Sequence, residues 1–82
     1  MKYTLRRCCL SKRGAIFSEL TFDLWNSEYN VGYEIKVTIW KHNIFAEELH
    51  QYARGFIGQT LDISKWDLII RNIKQYRLEV TP

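Results

Sequence analysis

The segment Ile16-Phe17-Ser18-Glu19-Leu20-Thr21-Phe22-Asp23-Leu24-Trp25 decides the fold. Its even positions, Ile16, Ser18, Leu20, Phe22 and Leu24, are mostly apolar, while Glu19, Thr21 and Asp23 fall on the odd ones. Period-two alternation of this kind marks a strand with one face on a core and the other free. Downstream, Tyr33 to Trp40 repeats the pattern with Tyr33, Ile35, Val37 and Ile39 on the apolar side and Glu34, Lys36, Thr38 and Trp40 on the other. The intervening Asn26 to Gly32, rich in Asn, Ser and Gly, reads as an exposed turn that returns the chain antiparallel and presents Tyr29.

Upstream, a first strand over roughly Lys2 to Leu10 alternates less cleanly. Ser11-Lys12-Arg13-Gly14 has the composition of a four-residue hairpin loop, with Gly14 supplying a positive φ at its end. That loop pairs Leu10 with Ala15, which sets Cys9 against Ile16, Leu5 against Leu20 and Tyr3 against Phe22. It also sets Arg6 against Glu19 and Lys2 against Asp23, so apolar meets apolar and base meets acid. In this register Cys9 sits among apolar residues and Cys8 is the more exposed thiol.

After His42 the period changes. Asn43 is a good helix N-cap, Glu47 and Glu48 suit the first turns, and Phe45, Leu49, Tyr52 and Phe56 form an apolar stripe that Gly55 or Gly58 can end. A second helix is expected from Ser64, with its hydroxyl as cap and Trp66, Ile69, Ile70 and Ile73 as its stripe. Tyr76, Leu78 and Val80 then alternate as a short fourth strand. The expectation is one α+β domain over residues 1–82: a small antiparallel sheet in the order β-β-β-α-α-β, two helices packed on one face, and the last strand beside the first to give the order 4-1-2-3.

Composition narrows the function classes. The 82 residues carry 12 basic and 9 acidic side chains for a net charge of +3. Lys2, Arg6, Arg7, Lys12 and Arg13 place +5 in the first thirteen residues, and the remainder, with seven bases and nine acids, nets −2. The adjacent Cys8 and Cys9 are poor disulfide partners and point to reduced thiols in a reducing, cytoplasmic setting. Arg6 and Arg7 stand where the apolar region of a signal peptide would begin, and no stretch has the length of a membrane span. No CxxC or HxxxH spacing joins these cysteines to His42 and His50, no glycine loop follows a strand to hold phosphate, and the carboxylates face bases. No metal, no cofactor and no catalytic residue is therefore expected.

What remains is surface. The uncovered sheet face is expected to hold Arg6, Cys8, Phe17, Glu19, Asp23, Trp25, Lys36, Thr38 and Trp40. Three large rings there are either mutual shielding between strands or a binding platform. With the basic hairpin, the candidate contact residues are Arg6, Lys12, Arg13, Trp25, Tyr29 and Trp40. They suit a non-catalytic small protein that blocks or modulates another protein or a ribonucleoprotein, in the manner of inhibitors, immunity proteins and phage anti-defence proteins. The alternatives are a nucleic-acid-binding module that uses the basic hairpin and a self-associating assembly subunit.

Overall fold

In the computed structural model, which describes residues 1–40 and 43–75, six elements follow one another. They are β1 (Lys2–Arg13), β2 (Ser18–Asn26), β3 (Val31–Ile39), α1 (Asn43–Arg54), β4 (Thr60–Asp62) and α2 (Ile63–Gln75). The strands form one antiparallel sheet in the order β3-β2-β1-β4, and both helices lie on a single face of it. The α+β class, with an antiparallel sheet and two helices on one face, is as the sequence implies, and a fourth strand lies beside the first. That fourth strand, however, is Thr60-Leu61-Asp62, between the helices. The strand expected over Tyr76 to Val80 lies outside the described residues.

β2 is the central strand and alternates buried with half-buried residues along its whole length. Leu20, Phe22 and Leu24 are fully buried against the helices, and so is the small Ser18. Ile16 does not belong to this face. It is 73% exposed in the turn before the strand, because β2 begins two residues later than the alternation suggests.

β1 runs three residues further than expected, and its pairing with β2 is shifted. Leu5 stands opposite Leu24, Arg7 opposite Asp23, Cys8 opposite Phe22, Leu10 opposite Leu20 and Lys12 opposite Glu19. Two irregularities, between Leu5 and Arg7 and between Leu10 and Lys12, each insert a residue. A bulge of this kind reverses the face of every side chain beyond it. Tyr3 and Leu5 therefore share the buried face with Cys8, not with Cys9. Ser11, at the second bulge, donates its hydroxyl to the Glu19 backbone carbonyl at 3.1 Å. The connecting turn is Gly14 to Phe17, not Ser11 to Gly14. Gly14 has no positive φ there. It is required because a Cβ would lie 2.5 Å from the Phe17 carbonyl oxygen.

The first helix buries Ala46, Leu49 and Ala53. The two alanines let its backbone approach the sheet closely. The expected stripe is rotated: Tyr52 is exposed and meets Phe56 edge-on at 5.3 Å, and of Phe45 only the helical backbone is described. Gly55 to Gly58 then close a turn in which Gly58 takes φ +92°. Gly58 N–H donates to the Leu5 carbonyl at 2.8 Å, and Leu5 N–H donates to the Gln59 carbonyl at 3.2 Å, which guides the chain into β4. Asp62, rather than Ser64, caps α2: its Oδ2 accepts from the Ser64 backbone N–H at 3.2 Å and from the Ser64 hydroxyl at 2.8 Å. The stripe expected for this helix is the one observed. Trp66 and Ile73 are fully buried, Ile70 nearly so, and the Trp66 indole N–H donates to the Tyr3 carbonyl at 2.7 Å.

Candidate functional site

The face of the sheet opposite the helices carries three rows of polar side chains between two aromatic ends. The register sets Arg7, Asp23 and Glu34 side by side, then Cys9, Thr21 and Lys36, then Lys12, Glu19 and Thr38. A shallow hollow of about 160 Å³ lies among Arg7, Cys9, Thr21, Asp23 and Glu34. That is well below the ~300–1,000 Å³ of small-molecule sites.

One aromatic end is built on Trp25. Its ring lies over Gly32 on β3, where a Cβ would come within 3.3 Å of the indole, and the Arg6 guanidinium sits 4.8 Å from the ring centre on the other strand. Glycine on one side and a cation–π contact on the other leave Trp25 half-buried. Tyr29, 62% exposed, is in the turn just beyond. Asn30 takes a left-handed φ of 54° in that turn, and Asn26 Oδ1 accepts from the Tyr29 backbone N–H at 2.9 Å.

The other end joins the Gly14–Phe17 turn to the residue after β3. Phe17 and Trp40 pack with ring centres 5.2 Å apart, and the Lys12 ammonium lies 5.8 Å from the Phe17 ring. Trp40 is still 68% exposed, and the adjoining Ile16 is open to solvent. An exposed Trp, an exposed Ile, a half-buried Phe and one lysine thus share one end of the sheet.

The six expected contact residues therefore separate. Arg6, Trp25 and Tyr29 lie at one end, Lys12 and Trp40 at the other, about 25 Å away at ~3.3 Å per residue. Arg13 is on the helix side of the sheet, where its guanidinium pairs with Glu47 of α1. Phe17 and Trp40, two of the three rings expected on the open face, pack against each other. Ile16 was missed because alternation alone does not say where a strand starts. The basic cluster is largely answered within the fold. Arg7 faces Asp23, Lys12 faces Glu19 and Arg13 binds Glu47.

The thiols are arranged opposite to the sequence expectation: Cys8 is buried and Cys9 exposed. Burial, with a smaller contribution from Cys9, pushes the Cys8 thiol up from 9.0 to about 11, against a weaker opposing pull from Arg54. His50 on α1 places Nε2 3.0 Å from the Cys8 backbone carbonyl, on the part of β1 that β4 does not cover. His42 lies outside the described residues. Among the described residues no three His, Cys, Asp or Glu side chains gather as metal ligands, and no helix is long and apolar enough to cross a membrane.

Comparisons with protein-family models, with curated proteins and with solved structures give no match to this chain.

Proposed function

We propose that this chain is a non-catalytic binding protein that blocks or modulates a macromolecular partner, in the manner of inhibitors, immunity proteins and phage anti-defence proteins. It docks through Ile16, Phe17 and Trp40 with Lys12 at the rim. The observation that supports this is the solvent exposure of Trp40 and Ile16 beside Phe17. Interface centres are enriched in large rings that are surrounded by less critical contacts, and tryptophan is prominent among them. A protein partner has more support than a nucleic acid, because most bases of the amino-terminal strand already face carboxylates.

The test is capture of a partner from host lysate by the unmodified protein, followed by affinity measurements with two variants. Trp40→Ala and Ile16→Lys should keep the circular-dichroism spectrum. Trp40→Ala should weaken binding about 30-fold or more, the effect of losing ~2 kcal/mol at a central contact. Unchanged affinity in both folded variants refutes the assignment. A steep loss of affinity with salt would instead indicate phosphate contacts and a nucleic-acid partner.

A further inference from the structure

β3 is an edge strand. Among the described residues no strand pairs with its outer side, which offers the outward N–H and C=O groups of alternate residues along a nine-residue strand. Edges of this length are normally blocked or paired. The side chains of β3 carry two features that its own fold leaves unanswered.

The first is electrostatic. On the open face Glu34 stands directly opposite Asp23, so two carboxylates are neighbours, and the base in that row, Arg7, lies on the far side of Asp23. Like charges directly opposite one another are unfavourable. Lys36, two residues on, stands opposite Thr21 and has no acid in its row. Among the described residues neither Glu34 nor Lys36 forms an ion pair. The second feature is apolar. On the helix side, Tyr33 leans on Tyr3 with ring centres 5.4 Å apart but is still 53% exposed, and Val31 is exposed as well, although both are in a strand whose later residues Val37 and Ile39 are buried.

We infer that β3 pairs antiparallel with β3 of a second copy about a two-fold axis at Ile35, which joins the two sheets into one. Val31–Ile39 is symmetric about Ile35, so this register pairs the whole strand. Glu34 of each copy then stands opposite Lys36 of the other, and each row gains the charge it lacks. On the helix side, Tyr33 faces Val37 of the second copy and Val31 faces Ile39. The register is selective. An odd shift sets open-face residues against helix-face residues. A shift by two in one direction places Lys36 against Lys36, and in the other Glu34 against Glu34. Trp40 follows Ile39 directly, so the paired edge stops beside the aromatic end at Ile16, Phe17 and Trp40.

Charge reversal tests the register. In Glu34→Lys, position 34 faces Lys36 with like charge, and in Lys36→Glu, position 36 faces Glu34 with like charge. Each variant alone should sediment as monomer, with a dissociation constant about tenfold or more above that of the unmodified dimer. An equimolar mixture of the two restores both opposite-charge pairs and should sediment as dimer. Hydrogen exchange of the unmodified chain needs no variant: amides of β3 should gain protection as protein concentration rises. The inference is overturned by unmodified protein that stays monomeric with concentration-independent exchange in β3. It is equally overturned by single variants that dimerise as the parent does, or by a mixture of folded variants that stays monomeric.

Discussion

The three tryptophans occupy three different environments, and a conservative substitution at two of them separates interior from surface. Trp66 is fully buried and donates its indole N–H to the Tyr3 carbonyl, whereas most of Trp40 is in water. Replacing Trp66 by Phe removes three ring atoms from a closed space, roughly 2 kcal/mol at ~0.8 kcal/mol per buried carbon. The lost hydrogen bond adds about 1 kcal/mol. The total, about 3 kcal/mol, is a large share of the ~4–12 kcal/mol that holds a domain of this length together. It corresponds to a fall in melting temperature of roughly 12–24 °C, since ~1 kcal/mol shifts Tm by ~4–8 °C at this size. For Trp40→Phe the same three atoms are only about one-third buried, and the cost is under about 1 kcal/mol. The measurements are urea and thermal unfolding followed by far-UV circular dichroism, with acrylamide quenching of tryptophan emission. Trp40→Phe should remove most of the readily quenched emission, and Trp66→Phe the protected part. Equal destabilisation by the two substitutions, or loss of the protected component from Trp40→Phe, would refute the placement of these side chains and with it the proposed docking end.

Three further outcomes follow from the titratable groups. With Cys8 buried and its thiol raised to about 11, one thiol, that of Cys9, should react promptly with a disulfide reagent near pH 8, and the second only after unfolding. The folded state holds the Cys8 proton more tightly than the unfolded one. Stability should therefore be independent of this group below about pH 9 and fall as pH rises toward about 11. Asp62 behaves in the opposite sense. Its hydrogen bonds from the Ser64 side chain and backbone, and one from the Met1 amino group, lower it from 3.8 to about 2. Its contribution is present above pH 3.8 and disappears as pH falls toward 2. Asp62→Ala should consequently melt below the parent at neutral pH and converge with it near pH 2; a constant difference across that range would contradict the capping role.

How far each element can be read from its residues depends on how much of its pattern comes from the element itself. β2 is flanked on both sides and covered on one face, so its alternation is complete and its inward residues are recognisable. β1 meets the same core, but its bulges at Arg6 and Ser11 break the period twice, and a reading that assumes continuous alternation exchanges the faces of Cys8 and Cys9. Matching charges did not resolve the register. Bases and acids are spaced along both strands, and both pairings set bases against carboxylates: Arg6 with Glu19 in one, Arg7 with Asp23 and Lys12 with Glu19 in the other. β4 has almost no pattern of its own. Three residues are held extended by the edge of Lys2 to Thr4 and by the Leu5 bonds to Gly58 and Gln59. In α1, Ala46, Leu49 and Ala53 are buried in the core while Tyr52 stays exposed, so the small residues let the helix lie close and the ring is turned out. The α2 stripe was legible because Trp66, Ile70 and Ile73 are the bulk that fills the core.

The same reasoning explains why the candidate surface was only half legible. A run of bases at one end of a sequence looks like a patch, yet in a hairpin each strand residue meets a cross-strand neighbour, and alternate residues leave by opposite faces. Arg13 thereby reaches α1, and Arg6 is used to cover Trp25. Trp25 and Trp40 look equivalent in the sequence, each being the outward residue at the end of an alternating strand. Their difference comes from position in the register. Trp25 has a paired partner, and that partner is glycine, so the indole can lie flat on β3 beneath a guanidinium. Trp40 follows the last paired residue of β3 and, among the described residues, has a ring contact with Phe17 alone. A ring beyond the end of the ladder stays exposed unless something from outside covers it, and that is the physical reason for placing the partner at this end of the sheet rather than over Trp25.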